Sequence, residues 1–408
     1  MLMTLPSFES IERAAAQLAG VALDTPCVAS AALKHLTGVE TFMKMENLQH
    51  THSYKMRGAY VKLASLDETL RRRGVIAASA GNHAQGVALA ASRLGVRSTI
   101  VMPETTPNCK IRSTEALGSH IVLHGGDVAD AMAEAQRLAS DEGSTLISPF
   151  DDVAIVAGAG TVGLEMLRSV PDLDVLLVQV GGGGLIAGIA LAAKHLNPKI
   201  RVIGVQTELY PALYNARHGL PRPKGGATLA EGVAVAEVGR LNLAIANEYV
   251  DDVVLVDEAA LEFAVHFLLE EEKTLVEGAG AAGVAALITY AERFAGLRTG
   301  VVLSGGNIDT GLLSYVISRV RLRERRVACV RTEMLDVPGG LARVAEIVAQ
   351  EGANVLEVSH RRLFTNVLAK CMQLDLTLEL RRPGDLALIV NRLNELGFHA
   401  TLPAIGAA

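Results

Sequence analysis

Lys55 stands in the segment Ser53-Tyr54-Lys55-Met56-Arg57-Gly58-Ala59, beside an aromatic ring and a thioether, with Arg57 as its only cationic neighbour. A lysine withdrawn from water loses its proton more readily, and its amine then serves as a nucleophile or a base. The same wording suits a structural lysine whose stem lies along apolar neighbours. Three later segments give it chemical company. Ser79-Ala80-Gly81-Asn82-His83-Ala84-Gln85-Gly86 opens a helical pattern, so its backbone N–H groups suit an anion such as a carboxylate. An ordinary cap by Ser79 or Asn82 explains the segment as well. Val180-Gly181-Gly182-Gly183-Gly184-Leu185-Ile186 sets four glycines between a strand and a helix, more than a turn needs. A helix-start cradle for a lone phosphate accounts for them, and the spacing is neither GxGxxG nor a P-loop. Leu303-Ser304-Gly305-Gly306-Asn307 ends an apolar run, where the Ser304 hydroxyl either meets a ring nitrogen or caps a turn.

The elements that must position these residues alternate in type. Gly74–Ala78, Ser98–Met102, His120–Leu123, Asp174–Val180, Arg201–Gln206 and Gly300–Ser304 read as buried strands. Asn82–Leu94 and Asp127–Glu142 read as helices between them, so the class is α/β with parallel sheets covered on both faces. The charged run Arg319–Arg326 is the expected linker. Beyond it a strand from Arg326 to Thr332 leads into a turn, Asp336-Val337-Pro338-Gly339-Gly340. Leu341, Val344, Ala345 and Val348 mark a helix face, and Val355–Arg361 reads as the next strand. Leu374, Leu376, Leu378 and Leu380 alternate with polar residues in another. A helix over Asp385–Leu396 and a strand over Phe398–Leu402 complete a ferredoxin-like βαββαβ order.

Composition narrows the class. The 408 residues are half apolar, with 39 glycines, no tryptophan and a net charge of −6, and no sustained basic stretch invites nucleic acid. Cys27, Cys109, Cys329 and Cys371 lack metal-type or disulfide-framework spacing and read as reduced cytosolic thiols. The first twenty residues meet acidic side chains too early for a secretory signal. Val175–Ala193 is uncharged and long enough to span a bilayer, but its glycines favour strand, loop and helix. The expectation is a cytoplasmic protein without a membrane partner.

A nucleophilic lysine, a carboxylate loop and a phosphate loop together describe pyridoxal 5′-phosphate held as a Schiff base. In this order, Ser53–Ala59, Ser79–Gly86, Gly181–Leu185 and Ser304–Asn307 resemble the fold-type II pyridoxal-phosphate enzymes. Glu46-Asn47-Leu48-Gln49 before the lysine is similar to the threonine ammonia-lyases (threonine dehydratases). Asp336–Leu341 and Gly352-Ala353-Asn354 resemble an ACT regulatory domain.

The resemblance implies two parallel-sheet subdomains over 1–322, the small one at about 50–147, and an ACT domain over 323–408. It gives Lys55 the Schiff base and the Cα proton. Gly181, Gly182, Gly183, Gly184 and Leu185 take the phosphate. Asn82 takes the ring hydroxyl, Ser304 the ring nitrogen, and Ser79, Ala80, Gly81, Asn82 and His83 the substrate carboxylate. A serine at the ring nitrogen makes a weaker electron sink than an aspartate would, which favours prompt β-elimination from threonine or serine to a 2-oxo acid and ammonia. Gly339, Gly340 and Asn354 are the implied effector residues, for isoleucine or valine in a homo-oligomer, though all three also suit turns.

Serine racemase or 3-hydroxyaspartate dehydratase chemistry fits the same motifs, and a non-catalytic amino-acid sensor is the reading from another class. His52 departs from the Gly-Ser-Phe wording of relatives and is expected to be exposed. Glu277, near the ring in relatives, either tunes protonation or caps a helix. Glu231 falls where some relatives bind a cation, but one carboxylate does not make a metal site.

Overall fold

In the computed structural model, which describes residues 5–363 and 366–403, apolar runs of Met1–Asp309 form two sheets. The smaller has the order His120–Leu123, Ser98–Met102, Val75–Ala78, Thr145–Leu146, all parallel. The larger runs Cys27–Ala29, Glu40–Lys44, Arg298–Val302, Val175–Gln179, Arg201–Thr207, Asp252–Val256. Only the pairing of Cys27–Ala29 with Glu40–Lys44 is antiparallel. Every residue of Val75–Ala78 and of Val175–Gln179 is buried, as parallel strands covered on both faces require.

The expected chemical segments lie just past the carboxyl ends of these strands, where open α/β sheets bind ligands. Val75–Ala78 leads through Ser79 into the helix Asn82–Leu94. Val175–Gln179 leads through the glycines into the helix Gly184–Leu196, so the uncharged Val175–Ala193 run is divided between strand, loop and helix. Among the described residues no helix is long and apolar enough to cross a membrane. Arg298–Val302 ends just before Ser304; it begins and ends two residues earlier than expected because its pairing with Glu40–Lys44 starts at Arg298.

Lys55 opens a helix, Lys55–Ala64, that is gripped on two sides. A Cβ on Gly158 of the helix Val153–Ser169 would stand 2.7 Å from Gly58 Cα. A Cβ on Gly86 of Asn82–Leu94 would stand 3.0 Å from the carbonyl carbon of Lys55 itself. Glycine therefore lets two neighbouring backbones close on the first turns of the lysine helix.

The second unit, Thr310–Ala408, has its own core. The division falls upstream of 322, because Thr310–Arg323 is a continuous helix that belongs to the second unit. Most of the charged run expected as a linker is therefore helical. Strands Val327–Leu335, Asn354–Arg361, Cys371–Glu379 and Ala400–Thr401 alternate with helices Gly340–Gln350 and Asp385–Glu395 in the βαββαβ order. The sheet is antiparallel, with Val327–Leu335 and Cys371–Glu379 central and Asn354–Arg361 at one edge. Leu374, Leu376 and Leu378 are all buried, as their alternation predicts. The helix face differs from the expected one. Leu341, in the first turn, is exposed, while Ile347 joins Val344 and Val348 in the core. The last strand keeps only Ala400–Thr401, the residues that pair with Arg331 and Thr332.

Candidate active site

Backbone pairing lays the lysine segment against the Ser304 segment. The Tyr54 N–H donates to the Ser304 carbonyl at 3.1 Å, the Gly306 N–H donates to the His52 carbonyl at 2.9 Å, and Ser53 bridges Gly305. The Lys55 amine donates to the Pro149 carbonyl at 3.0 Å and lies 5.3 Å from the Tyr54 ring centre. His52 is exposed, as expected, with a left-handed φ of 53°. Arg57, the cation expected near Lys55, is fully buried and serves another purpose. Its guanidinium donates to both Glu46 oxygens at 2.8 Å and to Glu165 at 2.5 and 2.8 Å. Lys44 joins the same Glu165 at 2.5 Å. Two cations thus meet two anions, which is what buried charges require. Arg57 pins the helix two residues from the amine.

The glycine loop turns at Gly183, whose φ of 89° suits glycine alone, and Gly184 begins the helix. One side of the loop is closed by protein. A Cβ on Gly182 would overlap the Phe150 ring, one on Gly183 would come within 2.9 Å of Asn242 Cβ, and one on Gly181 within 2.9 Å of Val233 Cα. The other side carries the N–H groups of the helix start, which have no intrahelical acceptor. Lys55 and this loop meet at one segment: Pro149 accepts from the amine, and Phe150 covers Gly182.

In the carboxylate loop two of the N–H groups are already engaged. The Ser79 N–H donates to the Val101 carbonyl, and the Gly81 N–H to the Ser79 hydroxyl oxygen at 3.2 Å. The N–H groups of Asn82 and His83, in the helix's first turn, remain suited to an anion, with the Ser79 hydroxyl as a further donor. The His83 imidazole is buried and donates to the Ile147 carbonyl at 3.1 Å; burial, with Lys55 nearby, pushes its pKa down to about 3. Its ring is a structural donor.

Asn82 is held from both sides. Its amide nitrogen donates to Glu277 at 2.6 Å, and its oxygen accepts from Asn307 at 2.7 Å. Glu277 stands at the N-cap of Gly278–Thr289 but makes no side-chain cap; its carboxyl faces Asn82 instead. The residue as a whole is half-buried, yet burial of the carboxyl raises its pKa to about 7, with Asn82, Lys110 and Lys55 opposing. Glu231 pairs with Lys110 at 2.9 Å, and the described residues contain no metal-type cluster of His, Cys, Asp or Glu. The four cysteines are free.

The fold brings Lys55, Asn82, Gly181–Leu185 and Ser304 to one place, and a phosphate-bearing aldehyde fits it. The helix start offers N–H donors, the amine has no carboxylate partner among the described residues, and Ser304 is buried just past a strand end. In the second unit Gly339 has a left-handed φ of 86°, a Cβ on Gly340 would overlap Met334, and Asn354 starts an edge strand. Sequence reasoning missed Pro149, Phe150, Asn242, Glu165 and the depth of Arg57. The nearest signal was Asp151-Asp152 ahead of an apolar helix, where Asp152 caps Ala154 and Ile155.

A family model described as "Pyridoxal-phosphate dependent enzyme" matches residues 19–305. An L-threonine ammonia-lyase of Thermotoga maritima is 43% identical over 375 residues, 91% of this chain and 93% of that protein. Among solved structures, the processed form of threonine deaminase isoform 2 from Solanum lycopersicum superposes with TM-score 0.74 and 34% identity, over 79% of this chain and 92% of that one. Maize serine racemase gives TM-score 0.73 and 31% identity, over 78% of this chain and 99% of that one.

Proposed function

The chain belongs to the pyridoxal-phosphate dependent enzymes, and from that premise we propose that it converts L-threonine to 2-oxobutanoate and ammonia, with L-serine as a second substrate. The observation that carries the reading is the 43% identity to a threonine ammonia-lyase along 91% of the chain. Bound pyridoxal 5′-phosphate supplies an electron sink that acidifies Cα–H and lets a β-hydroxyl leave. The water lost in that step is regained when the enamine product hydrolyses.

The residues divide the remaining work. Lys55 anchors the cofactor through its amine and, once freed by the substrate, takes the Cα proton. The helix start at Gly181–Leu185 holds the phosphate dianion by backbone N–H and the helix dipole. The Asn82 and His83 N–H groups and the Ser79 hydroxyl hold the substrate carboxylate. Asn82, held by Glu277 and Asn307, presents its amide to the ring hydroxyl. Ser304 offers the ring nitrogen a neutral contact. The Pro149 carbonyl keeps the free amine in place.

Residues 310–408 bind an amino-acid effector, isoleucine or valine, and pair in a homo-oligomer. The support is the βαββαβ sheet, whose edge strand Asn354–Arg361 has, among the described residues, a neighbour on one side only. Free cysteines and a metabolic substrate suit the cytoplasm.

The test is direct. The purified protein is yellow, and borohydride fixes the cofactor on the peptide containing Lys55; a colourless protein with no adduct sinks the proposal. Racemisation is the second reading, favoured by the likeness to maize serine racemase. L-Serine converted to D-serine faster than to 2-oxo acid would select it.

A further inference from the structure

Asn242 lies on the helix Arg240–Tyr249, outside every motif that carries the chemistry, and is completely buried. Its amide nitrogen donates to the Gly182 carbonyl at 2.8 Å and to the Phe150 carbonyl at 3.0 Å. Both partners can only accept, so the amide has one sensible orientation, and its oxygen has no protein partner among the described residues. A buried amide that gives its nitrogen to two backbone carbonyls joins those two segments.

The segments it joins are the two halves of the site. Gly182 belongs to the phosphate loop. Phe150 is next in the chain to Pro149, the residue whose carbonyl holds the Lys55 amine. The strap from Ser148 to Asp152 is itself pinned. The Ser148 hydroxyl oxygen accepts from the Asp151 N–H at 2.9 Å. The Asp151 carboxylate accepts from Arg240 N at 3.1 Å and Leu241 N at 3.0 Å, at the start of the helix that bears Asn242. Asp152 caps its own helix and pairs with Lys62, on the lysine helix, at 2.5 Å. The Gly239 N–H also reaches the Gly182 carbonyl at 3.0 Å, so the loop is tied to the same helix twice.

We propose that Asn242 is a positioning residue that fixes the spacing between the Lys55 amine and the glycine loop; this rests on the cofactor assignment made under the proposed function. A rigid pyridine ring sets the distance between its aldehyde and its phosphate. The protein must hold amine and cradle to match, and small errors of placement weaken such an arrangement steeply. Asn242 hydrogen-bonds the cradle on one side and, on the other, the residue next in the chain to the amine's acceptor.

The test uses the full chain with Asn242→Leu, which keeps volume and removes the donor. Asn242→Ser, which shortens the side chain without charge, serves where leucine is not accommodated. Affinity of the apoprotein is measured for pyridoxal 5′-phosphate and for pyridoxal, which reaches Lys55 but has no phosphate to register. Inorganic phosphate is titrated alongside. The expected result is a loss of roughly tenfold or more for pyridoxal 5′-phosphate, with pyridoxal little changed. A purely structural role lowers the melting temperature and leaves the ratio of the two affinities at the wild-type value; that result overturns the inference. Wild type that binds neither compound overturns the cofactor reading and the inference together.

Discussion

At the scale of single residues, the site holds one amine expected to do the chemistry and two groups whose protonation the fold has moved. Lys55→Ala is expected to abolish borohydride trapping and turnover while leaving the melting curve near wild type, because the amine gives up only a hydrogen bond to the Pro149 carbonyl and no ion pair. Intact turnover would remove Lys55 from the chemistry. Glu277 and His83 give opposite pH signatures in the apoprotein. Folding raises the Glu277 carboxyl from 4.5 to about 7, so the folded state holds the extra proton between those values. Stability therefore falls as pH rises through that window, and Glu277→Gln should recover about 1–3 kcal/mol at pH 8 relative to pH 4.5. His83 is lowered from 6.5 to about 3, so the unfolded state binds the extra proton. Its contribution is complete above 6.5 and is lost as pH falls toward 3. Urea unfolding of wild type, Glu277→Gln and His83→Gln across pH 4–8 separates the two slopes; parallel curves would contradict both assignments.

At the scale of elements, glycine contacts hold the lysine helix where the amine can act. Gly158→Ala puts a methyl 2.7 Å from Gly58 Cα, against backbone that cannot rotate away. The expected cost is about 1–3 kcal/mol by chemical unfolding, with kcat reduced as the helix is pushed aside. Unchanged stability would mean that the two helices separate freely. These contacts explain what the sequence could and could not reveal. Ser98–Met102, His120–Leu123 and Asn82–Leu94 were legible because Pro103 and Gly95 mark stops and the apolar runs are dense. Cys27–Ala29 and Thr145–Leu146 are too short to show a period, and depend on partners distant in the chain. Arg319–Arg323 looks like a solvated linker, yet Val316 and Val320 on the same helix are buried. The four chemical segments were legible because each carries an unusual glycine or lysine pattern. Arg57 and Asn242 were not: nothing local marks a guanidinium whose carboxylates sit at 46 and 165, or an amide joining 150 to 182.

At the scale of the whole molecule, Met1–Asp309 contains the stretch matched by the family model, and Thr310–Ala408 packs helices and an antiparallel sheet around its own core. Its edge strand leaves Leu356 and Val358 exposed, a surface that a second copy would cover. Light scattering is expected to give a mass above that of one chain, and Val358→Lys to shift it toward the monomer. Isoleucine or valine is expected to bind the full chain and to change the threonine saturation curve; calorimetry and kinetics without any response would remove the effector assignment. The central claim, elimination from L-threonine, is tested most directly by incubating the purified, cofactor-loaded protein with L-threonine and quantifying both products. Equal amounts of 2-oxobutanoate and ammonia, formed faster than any change in substrate chirality, are predicted. Threonine recovered unchanged, or returned with altered chirality and without 2-oxobutanoate, would contradict the account.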